Sequence, residues 1–490
     1  MLFNSYVFLL LFFPVTLAGY YLLKKLNKIN LMKLWLTGMS LWFYGYFNPW
    51  YLYIIVGSIL VNYGLCIWMD KCAPIDSKPK FRKIIMIFGV LFNVGILFYY
   101  KYFNFFIDNV NLVLKTDIFV EKILLPLGIS FFTFQEIGCV VDAYRGEVGK
   151  LSLLDYSLFI TFFPQLIAGP IVTQDEMLPQ LNNMHKLEFS SDKFARGMVL
   201  FILGLIKKVL IADVFGNAVN WAYANTNDIN ATSALLAVIF ANIQMYFDFS
   251  GYCDMARGIG KMFMLDIIQN FNSPYKSQSV TEFWSRWQIT MSRFLTKYIY
   301  FPLGGSRKGE LRTYINTLIV FTISGIWHGA GWKYLIWGVG FGVLSCGSRL
   351  FKNVIKKTPR AVNIAVTFFF VGMMCGLFTA NDTRHGLQML SKTVTGGFGP
   401  VAPEMLNAFM RTEYVFALKR LHILDFGWSS YIMFGIYCIV AFYFCFVGPN
   451  ANEIADKIKF KFKNSVLLML GFIWCLVSLS EVSTFLYFNF

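Results

Sequence analysis

Charge is scarce in this chain. Asp, Glu, Lys and Arg make up 14% of its 490 residues, against about 25% in ordinary soluble domains, which argues against a water-soluble fold. Acidic residues are the rarer sign, 27 against 43 basic ones, for a net charge of +16. In a soluble domain that excess would suggest nucleic acid. Here Lys and Arg concentrate in short loops between apolar runs, as the positive-inside rule expects, and nucleic-acid binding is disfavoured on that ground. The nine cysteines include no CxxC and no metal-like spacing. Most of them (Cys66, Cys139, Cys346, Cys375, Cys438, Cys445, Cys475) sit inside apolar runs, where a thiol packs as a small apolar group. No metal and no tightly bound cofactor is expected. P-loop, dinucleotide and HExxH patterns are missing too, as are internal repeats, low-complexity tracts and a separate soluble domain.

The N-terminus lacks a basic segment and a small-residue cleavage site, and Lys24 and Lys25 follow its apolar run. It reads as a first spanning helix with its N-terminus outside rather than as a signal peptide.

What the chain has in abundance is hydrophobic residues, 57% of the total, in many runs long enough to cross a bilayer core of roughly 30 Å. Helices satisfy their backbone groups internally in lipid, whereas a barrel would show short alternating segments. The expected fold is therefore all-α: a polytopic transmembrane bundle, one integral membrane domain over 1–490. Within it, 1–120 holds N-terminal spans, 121–380 the core, and 381–490 an amphipathic segment and the last spans.

Spans are expected near 2–23, up to 49, up to 69 and over 84–100. Basic loops follow the first and the third (Lys24, Lys25, Lys28 and Lys33; then Lys71, Lys78, Lys80, Arg82 and Lys83), so both loops fall on the cytoplasmic side. Segment 125–146 carries Gln135 and Glu136 in an apolar setting, and intramembrane ionisable groups usually face a bundle interior. In 153–172, Pro164, Gly169 and Pro170 argue for broken helices, tolerated at membrane depth only where protein or a water-filled cavity covers them. Segment 181–196 reads as a polar surface loop. Lys207 and Lys208 interrupt an apolar run, leaving the topology of 173–231 open. Over 231–264, Gln244, Asp248 and Tyr252 share one helical face. Spans over 332–350, 361–380 and 430–447 and a last one toward Phe490 complete the chain. Met405, Leu406, Phe409 and Met410 suggest an interfacial helix lying on the membrane.

The chain is organised around 281–332. A cationic, aromatic segment runs through a glycine turn into an apolar helix that carries His328 near its far end. Of the four histidines, His185, His385 and His422 occupy polar or interfacial segments, so His328 is the one embedded in an apolar helix. Arg307, Lys308 and Arg312 place the start of that helix on the cytoplasmic side. The fourteen residues from Tyr314 to His328 span roughly 21 Å at helical rise, which carries His328 past the midplane toward the outer face. A packing histidine is the plain alternative. The functional reading is a general base, because burial favours the neutral imidazole, which can accept a proton. Such a base contributes roughly 10²–10⁴-fold to rate.

Ser324 lies one turn before His328, so Ser–His chemistry is conceivable, although a serine in an apolar helix commonly bonds a backbone carbonyl. Cys346, eighteen residues on, lies about 27 Å away along a continuous helix. Over 283–307, Arg286, Arg293, Lys297 and Arg307 stand among Trp284, Trp287, Tyr298 and Tyr300. This reads either as an interfacial helix with snorkelling cations or as a cytoplasmic mouth for an anionic donor.

Taken in order, PLGISFFTFQ with VDAYRG, FFPQLIAGPI, FDFSGYCDMARG, FNSPYKSQSVTEFWSRW, YIYFPLGGSRKG, GIWHGAGW and the terminal FLYFNF resemble the membrane-bound O-acyltransferase family. The resemblance covers nearly the whole chain. It is strongest to the bacterial branch of alginate O-acetyltransferase membrane subunits, with teichoic acid D-alanyl transferases more distant. It implies roughly 11–13 membrane helices, some broken or re-entrant, around a central thinned region. It also implies acyl transfer, typically of acetyl, from a cytosolic thioester (acetyl-coenzyme A or an acyl carrier protein) across the membrane. The family histidine corresponds to His328.

Relatives commonly carry a second histidine where this chain has Gln288. Glutamine cannot take a proton at neutral pH, which counts against a two-histidine relay and leaves Gln288 a positioning candidate. Trp284, Arg286, Trp287, Asp248, Ser250, Tyr252, Ser324 and Trp327 are candidates for the donor and acceptor tunnel, and Arg293, Lys297 and Arg307 for the basic mouth. The expected setting is a bacterial cytoplasmic membrane, with lipid around the chain, a glycan acceptor and an extracytoplasmic esterase-like partner. D-alanyl transfer from a carrier protein, lipid or protein acylation, and a transporter without chemistry are the rivals. Glu136, Gln244 and Asp248 would line the transporter's path.

Overall fold

The structure is a computed structural model that describes residues 1–72, 79–420, 426–481 and 485–486. Among these residues every regular element is helical. Among the described residues six helices are long and apolar enough to cross a membrane: Phe8–Lys25, Tyr51–Lys71, Pro79–Leu114, Ala231–Met262, Arg360–Thr379 and Trp428–Phe446. Ile29–Gly45, Glu310–His328, Trp332–Leu350 and Phe462–Val477 are shorter or more polar. The chain divides into two compact units, Met1–Met198 with Ala256–Ile268 and Val199–Met255 with Gln269–Phe490.

In the first unit, buried polar groups tie helices together where lipid tails supply no hydrophobic drive. Asn62 and Asn93 exchange amide hydrogen bonds of 3.1 and 2.6 Å, and the Ser58 hydroxyl donates to Glu136. Glu136 thus belongs to a packing knot. Arg82, read from sequence as a loop cation, is buried and donates to the carbonyls of Met69 at 2.7 Å and Tyr144 at 2.9 Å. It caps carbonyls left over at helix ends. The expected break falls at Phe162 (φ −50°, ψ 107°) between Leu153–Thr161 and Phe163–Leu166, and everything from Thr161 to Val172 is buried. The supposed surface loop at 181–196 is partly helical. Its Leu181 and Met184 are buried, and helix Ser191–Ile206 begins within it.

The second unit explains the paired lysines. From Val199 its first helix passes through a π-turn, Lys207–Ala212, directly into Asp213–Ala224. Lys207 meets Asp254 at 2.6 Å, while Lys208 sits between Asp213 at 2.7 Å and Asp248 at 2.6 Å. Gln244, Asp248 and Tyr252 do share a buried face.

The interfacial helix expected around 405–410 is a correction. Met405, Leu406 and Phe409 are buried in protein, and the Phe409 ring lies 5.2–5.7 Å from Phe215, Phe240, Phe434 and Tyr437. Apolar spacing on a short helix looks the same whether the facing surface is lipid or aromatic core.

Two helices of this unit, Glu310–His328 and Trp332–Leu350, form an antiparallel hairpin whose backbones nearly touch at Gly325 and Gly338. A Cβ on Gly338 would sit 2.5 Å from the Phe321 carbonyl oxygen and 2.9 Å from the Gly325 Cα. Small residues permit this approach in membrane bundles. Gly338→Val should therefore force the hairpin apart, at a cost of about 1–3 kcal/mol or more in so tight a contact. A lower melting temperature and loss of monodisperse protein in detergent are expected, and unchanged melting would refute the close contact.

Candidate active site

The hairpin positions the histidine. Glycines at 304, 305 and 309, all with φ between 59° and 103°, make the turn that launches helix Glu310–His328. The helix stops at His328. Gly329 is extended, and Trp332 starts the return helix. His328 is buried, with its Nδ1 2.6 Å from the Ser324 carbonyl oxygen. A carbonyl only accepts, so Nδ1 donates, and in the neutral ring Nε2 carries the lone pair. The bond the first nitrogen makes thus fixes which nitrogen can act as base.

Around the imidazole stand the rings of Trp337 at 4.7 Å, Trp327 at 4.9 Å and Phe378 at 5.6 Å. His328 opens onto a small cavity whose other walls come from four places. Met245 comes from the long helix Ala231–Met262 and Trp337 and Phe341 from the return helix. Cys375 and Phe378 come from Arg360–Thr379, and Phe283, Trp284 and Trp287 from the cationic aromatic segment. The space open to the centre of a water molecule is about 10 Å³, room for roughly one water. An acyl thioester fits only if the aromatic walls part.

The cationic aromatic segment owes its orientation to its local sequence. Helix Val280–Arg286 is capped by Ser279, whose hydroxyl accepts from the Glu282 N–H at 3.1 Å. Glu282 and Arg286 pair one turn apart at 3.0 Å, turning Phe283, Trp284 and Trp287 inward to the cavity. Arg286 also donates to the Asn272 carbonyl at 3.2 Å. Gln288 follows with φ 45° and ψ 51°, a left-handed conformation uncommon for a non-glycine residue. It is buried, at the junction pinned by Asn270, which accepts from Ile289 N and, through its side chain, from Thr290 N, each at 3.0 Å. Gln288 is not among the side chains lining the cavity.

The remaining candidates scatter. The Ser324 hydroxyl points to Met291 Sδ at 4.0 Å, so Ser324 meets His328 through its carbonyl. Trp327 stacks edge-on against the imidazole. Asp248 and Ser250 belong to the lysine cluster, with Lys207 donating to Ser250 Oγ at 3.3 Å, and Tyr252 packs on Phe485 at 4.8 Å. Arg293 and Arg307 are exposed, while the Lys297 ammonium lies 5.2 Å from the Tyr298 ring. Cys346 donates to the Tyr314 carbonyl at 3.7 Å, at the opposite end of the hairpin from His328. His185 is exposed, His385 pairs with Asp382 at 2.6 Å, and His422 lies outside the described residues. Sequence reasoning missed Met245, Trp337, Phe341, Cys375 and Phe378. Trp337 and Phe341 are one turn apart, a stripe that any apolar helix shows. No group of three or more metal-ligating side chains occurs among the described residues.

The pattern of the membrane-bound O-acyltransferase family matches residues 117–382, which takes in every wall of this cavity. A peptidoglycan O-acetyltransferase of Helicobacter pylori is 34% identical over 528 aligned positions, covering 100% of this chain and 98% of the relative. This chain belongs to the membrane-bound O-acyltransferase family. A probable alginate O-acetylase of Pseudomonas putida is 37% identical over 79% of each chain. A teichoic acid D-alanyltransferase of Bacillus subtilis is 25% identical over 53% of this chain and 70% of its own. The protein is thus a multi-pass membrane O-acyltransferase of the alginate O-acetylase-like branch.

Proposed function

We propose that this membrane-bound O-acyltransferase takes an acetyl group from a cytosolic thioester, acetyl-coenzyme A or an acyl carrier protein, and passes it across the membrane for O-acetylation of an exported or cell-wall polysaccharide. The setting is a bacterial cytoplasmic membrane, and an extracytoplasmic esterase-like partner completes delivery to the glycan. The relatives that match most of the chain are named for O-acetylation of peptidoglycan and alginate, whereas the D-alanyltransferases match about half of it.

The observation that carries the reading is His328 itself: buried, lining an aromatic cavity, with Nδ1 bonded to the Ser324 carbonyl, which in the neutral ring makes Nε2 the basic nitrogen. Nε2 takes the proton of the acceptor hydroxyl as its oxygen attacks the thioester carbonyl. Aromatic walls with room for about one water limit hydrolysis. Exposed Arg293 and Arg307, with Lys297, draw in the anionic donor, and Gln288, set back from the cavity, would act on the substrate only through the backbone turn that follows Trp287.

Mass spectrometry of cell-wall and secreted glycans from a deletion strain tests the assignment. Missing O-acetyl groups are expected. Missing D-alanine with acetyl intact would reverse it, and unchanged glycans would point to lipid or protein acylation, or to transport.

A further inference from the structure

We propose that the indole N–H groups of Trp284 and Trp337 form the hole that holds the developing oxyanion during transfer at His328, an assignment that rests on the acyl-transfer reading above. Both side chains are buried, 6% and 4% exposed. Both line the cavity onto which His328 opens, and neither indole nitrogen has a hydrogen-bond partner. Buried tryptophan N–H groups usually find an acceptor, because an unmade donor loses its hydration without compensation. Two orphan donors on side chains that line one cavity offer an acceptor site to a substrate oxygen that takes the place of a single water there.

The donor inventory narrows the choice. Met245, Phe283, Phe341 and Phe378 have no side-chain donor, and the Cys375 thiol is a weak one. The Nδ1 proton of His328 is committed to the Ser324 carbonyl. Strong donors for a substrate oxygen are therefore the indoles, and those of Trp284 and Trp337 are the two buried without an acceptor. They come from separate helices, with ring centroids 5.7 Å apart and planes at 82°, close enough for the proposal to place both N–H groups on one substrate oxygen. Trp337 also packs 4.7 Å from the imidazole, which places the hole beside the base.

In the reaction, the acceptor hydroxyl gives its proton to His328 Nε2 and its oxygen bonds the thioester carbonyl carbon. The carbonyl π pair moves onto oxygen, where the two N–H groups hold it. Collapse re-forms the carbonyl and breaks the carbon–sulfur bond, and the leaving thiolate takes the proton back from Nε2. Thioester and alcohol become ester and thiol.

The test replaces each tryptophan by 3-benzothienylalanine, which keeps the ring shape and lacks the N–H, in the full chain reconstituted in lipid vesicles with an acetyl thioester. A loss of about 10²–10³-fold in kcat per donor is expected, with KM for the thioester and the melting temperature little changed. Wild-type kcat in both variants would overturn the oxyanion assignment alone, whereas a wild-type protein that transfers no acyl group would overturn the underlying reading. A second measurement needs no tryptophan variant. The ¹³C carbonyl stretch of an acetyl thioester bound to His328→Ala protein should fall below its value in dry apolar solvent, and an unshifted band would likewise overturn the assignment.

Discussion

Exchanging His328 for glutamine should lower acyl transfer by about 10²–10⁴-fold, the contribution of a positioned general base, or about 3–5 kcal/mol in activation free energy. Glutamine can still donate to the Ser324 carbonyl, as Nδ1 does now at 2.6 Å, and it roughly fills the place between Trp327 and Trp337. What it lacks is a nitrogen that accepts a proton at neutral pH. The acceptor hydroxyl would then attack without losing its proton. Thioester binding should persist, because the aromatic walls and the basic residues are untouched, so the loss should fall on kcat rather than KM. Glycan acetylation in cells expressing normal amounts of His328→Gln protein reads the same effect. Wild-type acetylation there would assign His328 to packing.

The second large effect concerns stability. Lys208 is buried between Asp213 and Asp248, its side chain 2% exposed and theirs 12% and 3%. Removing one partner of a buried ion pair leaves charge without compensation and costs about 3–5 kcal/mol. Lys208→Met should therefore sharply lower the melting temperature of the purified protein. The triple variant Lys208→Met, Asp213→Asn, Asp248→Asn should recover much of the loss, because replacing a whole buried charge cluster by neutral groups is often close to neutral. A Lys208→Met protein that melts like wild type would show that the cluster does not hold this unit together. Asp248 would then be open again as a group on a transport or acyl path.

The hairpin was the most legible part of the chain. Its return span was expected at 332–350, and the helix runs Trp332–Leu350, because basic and glycine-rich punctuation brackets a strongly apolar stretch. His328 stood out for an equally local reason, an ionisable side chain within an apolar helix. Its hydrogen bond was harder to read. Spacing put Ser324 and His328 on one face, but the partner is the Ser324 carbonyl, and the hydroxyl faces Met291. Sequence spacing locates a residue without saying which of its oxygens is used.

The lysines at 207 and 208 interrupted the hydropathy pattern because their counter-charges lie up to 47 positions away, at Asp254 and Asp248. A linear pattern does not show such pairing. The cavity walls were hidden for the opposite reason. Cys375, Phe378 and Phe341 look like any lipid-facing or packing residue until two helices bring them together at the cavity. Met405 and Phe409 erred the other way, since their apolar face meets Phe215 and Phe240 rather than lipid.

The most direct test reconstitutes purified protein in vesicles, supplies a radiolabelled acetyl thioester on the side of Arg293 and Arg307 and an acceptor hydroxyl on the other, and follows label into ester. Ester formation by the wild-type chain is expected, with a His328→Gln rate lower by about two to four orders of magnitude. Equal label transfer by the two proteins, or movement of substrate with no ester formed, would contradict that expectation.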